Sequence, residues 1–302
     1  MDKPDFSIII VCYNPDFDKL LKTIISCIKQ EKTKYEIIIS DDGSKEKYLE
    51  KLQNWAKDNN INLKYNFIHD NVGTVKNIIS GVKMASGKYI KTISPGDYFA
   101  TPDALETFLH KFEDEECDLV FSDGIFYFGD TIFCDQKMPF FEKTTGKNMK
   151  KNISMLADSF LGASLTFRKE LVSYLYELDG YVKLTEDLPL TYLALINGKK
   201  VGYIDKKLFW YEYGTGVSHI KHYLDADLQG FVNYLTLNYT NNKMVKRTLS
   251  VWNVIKIQNS FLRAITLLIT HPVIFVMKLA RKKGKKQEIH LTIDDLNAIT
   301  RL

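Results

Sequence analysis

Phe6-Ser7-Ile8-Ile9-Ile10-Val11-Cys12-Tyr13-Asn14-Pro15 decides how the N-terminal half is read. Its apolar, β-branched opening lacks polar alternation, which suits a strand buried on both faces of a parallel sheet. A helical pattern follows at once, because Asp16–Gln30 places Leu20, Leu21, Ile24, Ile25 and Ile28 on one stripe.

The alternation continues outward from this pair. Strands are expected at Tyr35–Ser40, Leu63–His69, Lys88–Ile93 and Asp118–Ser122. Helices are expected at Glu46–Asn59 and Thr74–Ala85, the latter stopped near Gly87, and again after an N-cap at Thr101-Pro102. Such order predicts a mainly parallel α/β sheet with helices on both faces. Beyond it, Asp130–Asn152 reads as a long polar loop. Ala163–Arg168 reads as a strand, Lys169–Leu178 as a helix, and Thr185-Glu186-Asp187 as the cap of another helix ending at Asn197-Gly198. Lys200–Ile204 and Phe209–Tyr213 read as two strands, and from Tyr223 the pattern is helical.

In open α/β sheets ligands bind at the carboxyl ends of the strands. Here those ends are Cys12-Tyr13-Asn14, Asp41-Asp42-Gly43-Ser44, His69-Asp70-Asn71 and Ser94-Pro95-Gly96-Asp97, all polar or Gly-bearing. The first strand–helix turn, Val11–Pro15, holds no glycine. A G-x-G-x-x-G dinucleotide site needs glycines there for backbone to approach a pyrophosphate, so that class is excluded.

Ser7–Asn14, Ile39–Ser44, Asn71-Val72-Gly73 and Ala85–Ile90, in this order, resemble the motifs of family 2 glycosyltransferases, over roughly Phe6 to Ser218. The resemblance implies the GT-A fold and transfer of a sugar from a UDP-sugar donor. It implies that Asp42 accepts the N3–H of uracil, and that Tyr13, Asn14 and Gly43 lie near the nucleoside. Lys76 would face the diphosphate or stand as an ordinary exposed helix lysine. The family's Asp-x-Asp metal motif is reduced here, since Ser94 and Gly96 take its acidic positions beside Pro95 and leave Asp97 as the surviving acid. A Mg²⁺ or Mn²⁺ ion on Asp97 is the expected cofactor, because such ions keep waters and take phosphate oxygens. Glu186 and Asp187 match the acceptor-side acidic motif, with Asp187 as general base of an inverting displacement; a retaining enzyme on the same fold is the alternative. Ser218, in Tyr211–His219, would hold phosphate oxygens, His219 would touch phosphate or metal, and Asp123 and Gly162 would line the sugar and acceptor pockets.

The resemblance divides the chain into a catalytic unit, residues 1–222, and a helical basic region, residues 223–302. Within the first, residues 1–124 form the nucleotide-binding half and 125–222 the acceptor-side half. Lys243 to Lys286 contains eleven Lys or Arg and no acid, which leaves −7 on the remainder of a chain whose net charge is +4. Such an arm suits an anionic membrane surface, or packs as a helical element or homodimer contact. Ile265–Met277 is too short to span a bilayer and is broken at His271-Pro272. No nucleic-acid-binding motif accompanies the charge. Cys12, Cys27, Cys117 and Cys134 form no C-x-x-C pair, and Met1-Asp2-Lys3-Pro4 leads straight into the first strand. Free thiols in a cytoplasmic protein, peripheral on the inner face of the cell membrane, are therefore expected. The expected acceptor is a glycan or lipid-linked hydroxyl in surface polysaccharide synthesis. The alternative of another class is a non-catalytic sugar- or partner-binding subunit on the same fold.

Overall fold

The computed structural model describes residues 3–45, 48–133, 161–215, 221–272, 275 and 292–302. Among them, β1 (Phe6–Cys12), β2 (Tyr35–Asp42), β3 (Lys64–Ile68) and β4 (Tyr89–Ile93) alternate with α1 (Phe17–Ile28), α2 (Tyr48–Asp58) and α3 (Thr74–Met84). These four strands lie in the order β3-β2-β1-β4, and every pairing between them is parallel. The expected parallel half is thus present, with its carboxyl-end turns side by side along one edge.

The second half of the sheet is mixed. β5 (Tyr98–Phe99), β6 (Leu119–Phe128), β7 (Thr131–Phe133), β8 (Thr166–Arg168) and β9 (Val201–Glu212) extend it as β4-β8-β6-β9-β5, with β7 paired to β6. β8 runs antiparallel to both β4 and β6, whereas β6 and β9 are parallel. The two short strands expected at Lys200–Ile204 and Phe209–Tyr213 are one strand, β9, whose pairing with β6 shifts register on either side of Asp123. A bulge there lets the long pair curl without ending. Thr131–Phe133 pairs as β7 although it lay within the expected loop, the rest of which, from Cys134, falls outside the described residues.

Side chains alternate across the strands into two cores. Ile9, Ile38 and Ile90 face α3, α5 (Val172–Glu177), α6 (Asp187–Ile196) and α7 (Lys221–Asn238), while Ile8, Ile10, Ile37 and Tyr89 face α1, α2 and α4 (Ala104–Asp114). α4 begins later than expected, with Asp103 rather than Thr101 preceding it. Gln30 explains the delay: it donates to the Thr101 carbonyl and accepts from the Leu105 N–H, so the end of α1 holds the start of α4. The helical C-terminal region packs against the same body. Phe231, Tyr234 and Leu235 of α7 and Val245 of α8 (Lys243–Ile255) join the first core. Leu296 and Ile299 of α10 (Ile293–Thr300) pack with Tyr98, Tyr127 and Trp210. The helix between them, α9 (Ser260–Thr270), buries only Leu267. No helix among the described residues is long and apolar enough to cross a membrane.

Candidate active site

Adjacent aspartates at the end of β2 do different work. The Asp41 carboxylate accepts from Ser44 N (2.9 Å), Ser44 Oγ (2.5 Å) and Tyr48 Oη (2.7 Å), and so closes its own turn. Asn14 joins that turn to β1: its N–H donates to Ser44 Oγ and its Oδ1 accepts from Lys45 N. Asp42 instead reaches the next strand end, accepting from Val72 N (2.8 Å) and Gly73 N (2.9 Å) at the start of α3. A carboxylate there holds the turn that enters α3, at the end where a helix dipole favours negative charge. Asp42 is 3% exposed, and burial raises its pKa against the lowering effect of those two N–H groups. Two of its lone-pair sites are used, which leaves capacity for a ligand donor. Gly43 permits the approach: at φ +72° a Cβ there would lie 2.7 Å from the Asp70 backbone. Tyr13 stands exposed beside these turns.

At the end of β4, Asp97 N donates to the Ser94 carbonyl, with Pro95 and Gly96 (φ +101°) between them. Pro followed by a positive-φ Gly is the type II turn pattern. The turn is fastened by Tyr127 Oη on the Gly96 carbonyl and by Thr23 Oγ1, which accepts from Gly96 N and donates to the Asp97 carbonyl. Ser94 is exposed and Pro95 half-buried, whereas Asp97 turns inward, its Oδ1 accepting from Glu212 N (3.1 Å). Burial pushes the Asp97 carboxyl up to about 7; the Glu212 N–H and Lys91 oppose that rise and the Glu212 charge adds to it. Glu212 ends β9, within the Tyr211–His219 stretch expected over the diphosphate, although no role was expected of its carboxylate. Its Oε1 lies 2.6 Å from Lys19 Nζ, and its Oε2 lies 2.6 Å from where a Cβ on Gly96 would stand.

On the acceptor side, Glu186 and Asp187 stand at the start of α6. Thr185 was expected to cap this helix, but its hydroxyl and N–H both go to Asp227 of α7, which also takes the N–H groups of Lys183 and Leu184. Asp227 thus holds the loop in front of the acidic pair, a role that a single acid in a distant helix gives no pattern to reveal. Asp187 Oδ1 accepts from Leu188 N at 2.7 Å. Its other oxygen lies against Gly162, where a Cβ would come within 2.1 Å of it. Burial, followed by the charge of Asp187, raises the Glu186 carboxyl above the usual carboxylate range.

Lys76 forms an exposed ion pair with Asp179 (3.0 Å). Asp123 is buried at the β6 bulge. Ser218 and His219 fall outside the described residues. Among those described, no group of three or more His, Cys, Asp or Glu stands together as a metal site.

A parallel half-sheet with polar strand ends, continued by a mixed half bearing an acidic pair, defines a GT-A type of nucleotide-sugar transferase fold. The model of glycosyl transferase family 2 matches residues 7–172, and the chain belongs to that family. It is 34% identical over 107 residues to an uncharacterized glycosyltransferase of Haemophilus influenzae, a match covering 35% of this chain and 41% of that relative's length. In fold it resembles S. aureus TarS residues 1–349 in complex with UDP-GlcNAc (TM-score 0.61, 17% identity, 84% of this chain and 76% of that one). It also resembles the mannosyltransferase PcManGT of Pyrobaculum calidifontis in complex with GDP-Man and Mn²⁺ (TM-score 0.55, 13% identity, 99% and 86%).

Proposed function

We propose that this chain transfers a sugar from a UDP-sugar to an acceptor hydroxyl with inversion. The observation that carries the proposal is the division of carboxylates in a family 2 fold: Asp42 among the nucleotide-side turns, Glu186 and Asp187 across the sheet end. The acceptor oxygen attacks the anomeric carbon, its proton passes to Asp187, and the bond to the leaving UDP oxygen breaks. Tyr13 covers the nucleoside, and Asp42 accepts the uracil N3–H on its unused lone pairs.

The residues present also fit a divalent cation. Glu212 Oε2 stands beside Gly96, where the usual motif would carry an acid, and Asp97 is its neighbour. These two carboxylates would hold Mg²⁺ or Mn²⁺, with Lys19 balancing their charge. Such an ion, when bound, would neutralise charge on the departing diphosphate.

The same reading sets the reaction at a lipid surface, which the exposed face of α9 supports. α9 exposes Phe261, Leu262, Ile265, Leu268 and Ile269 on one side, in a segment that carries eleven cations and no acid from Lys243 to Lys286. Apolar residues in a cation-rich segment of the sequence suit the interface of an anionic bilayer, where a lipid-linked acceptor would be met. A homodimer through the same face would bring two cationic segments together, which disfavours it.

Thermal stabilisation by UDP and turnover of a panel of nucleotide sugars test the proposal. UDP should raise the melting temperature, Asp42→Ala should abolish that rise, and one UDP-sugar should turn over. Equal stabilisation by every nucleoside diphosphate, unchanged in Asp42→Ala, would remove the uracil assignment. Binding without turnover of any sugar would leave a sugar-binding subunit.

A further inference from the structure

Lys91 lies in the middle of β4, between Ile90 and Thr92, and is wholly buried. Its ammonium donates to three carbonyls, those of Thr92 (2.7 Å), Ala163 (2.5 Å) and Leu165 (3.4 Å), and lies 4.2 Å from the centre of the Phe209 ring. Three donors meet three acceptors, so the group is satisfied. An ammonium on a central strand is nevertheless a costly choice, because well-packed apolar side chains usually serve stability as well or better. Its neighbours Tyr89, Ile90 and Ile93 are of that apolar kind.

The carbonyls it holds belong to one feature. Ala163 lies within the 3₁₀ turn Gly162–Ser164, and Leu165 follows it directly. Gly162 of that turn is the surface against which Asp187 Oδ2 rests, with no room for a Cβ between them. We propose that Lys91 is a positioning residue for the acceptor-side base: its ammonium sets the Gly162–Leu165 turn, and the turn sets the Asp187 carboxylate. The inference rests on the glycosyl-transfer reading for its effect on rate, but not for its effect on the turn. Lys91 also feels the charges of Asp97 and Glu186, so one buried cation stands behind both the donor-side turn and the acidic pair.

Two variants test this. Lys91→Met keeps an unbranched apolar stem and removes the charge; Gly162→Ala pushes on Asp187 from the turn itself. In Lys91→Met, hydrogen exchange at the Ser164 and Leu165 amides should quicken by about tenfold, reflecting local opening. UDP affinity should stay near wild type, and at pH 7 the variant should melt no lower than wild type. In both variants kcat should fall by about 10–100-fold, the scale of a misplaced catalytic group, with the acceptor KM moving and the donor KM unchanged. Wild-type exchange at Ser164 and Leu165 in Lys91→Met overturns the proposal, whatever the activity. Normal turnover by folded Lys91→Met or Gly162→Ala also overturns it. An absence of turnover in wild type itself counts against glycosyl transfer, and the exchange measurement then still decides the role of Lys91.

Discussion

Asp41 and Asp42 are chemically identical neighbours with opposite assignments. The first spends its oxygens on Ser44 and Tyr48, the second reaches Val72 and Gly73 and keeps acceptor capacity. Asp187 shows the same dependence on surroundings, since Gly162 alone leaves room for its carboxylate. Asp187→Asn retains shape and removes basicity. Its kcat should drop by about 10²–10⁴-fold while UDP affinity is unchanged, as single-turnover rates and calorimetry on one preparation would report. Normal turnover would place the base elsewhere, and lost UDP binding would move Asp187 to the donor side. Glu212 adds a carboxylate at the Gly96 face, so Glu212→Gln should weaken Mn²⁺-dependent UDP binding more than metal-free UDP binding. Equal weakening of both would assign Glu212 to the turn alone.

At the scale of elements, Glu36 of β2 ties β1 to the turn before β4. Its carboxylate accepts from Ser7 Oγ, from Ser86 N and Oγ, and pairs with Lys64 at 2.5 Å. Burial raises its pKa, but the bonds from Lys64, Ser7 and Ser86 outweigh burial and hold the carboxyl down at about 2. A depressed carboxyl stabilises the fold above its ordinary range, and that contribution disappears as pH falls toward the folded value. Glu36→Gln should therefore be less stable than wild type at pH 7, and the gap in urea midpoints should close as pH falls toward about 2. A gap independent of pH would mean that packing, not charge, is what Glu36 supplies. α9 gives the second test at this scale. Phe261 and Ile269 are 74% and 73% exposed, so replacing both by Ser should leave melting unchanged and weaken sedimentation with anionic vesicles. Added salt should weaken binding of the parent chain as well. Unaltered vesicle binding by the double variant would remove α9 from the interface.

For the whole molecule, the notable feature is charge placed inside the sheet. Burial lowers the pKa of Lys91 to about 7, against the raising influence of Asp97, Cys27 and Glu186. The folded chain then resists a proton that the unfolded chain accepts, so wild type loses stability as pH falls from the ordinary lysine range toward about 7. Lys91→Met has no such term. Its stability relative to wild type should be greatest at pH 7 and shrink toward pH 10, as measured by urea unfolding at both. A difference that does not vary with pH would mean that the ammonium stays charged throughout.

The parallel half is legible in local sequence. The apolar runs at Phe6–Cys12, Tyr35–Asp42 and Tyr89–Ile93 and the helical stripes between them are local patterns, and strand ends in such a sheet must meet. The sequence also placed Asp42, Asp97, Glu186 and Asp187 at element ends, through motif order. Which groups face one another depends on how the elements pack. Lys91 and Glu212 read as further residues of strands, and Asp227 as an acid on a helix, because each acts on a partner from a distant element. The same holds for the continuous β9, whose polar middle, Asp205-Lys206-Lys207, interrupts the apolar pattern while pairing with β6 continues around a bulge. Local periodicity records what a residue does to its own element. Contacts across tens of residues depend on strand order and register, which arise only when the sheet is assembled.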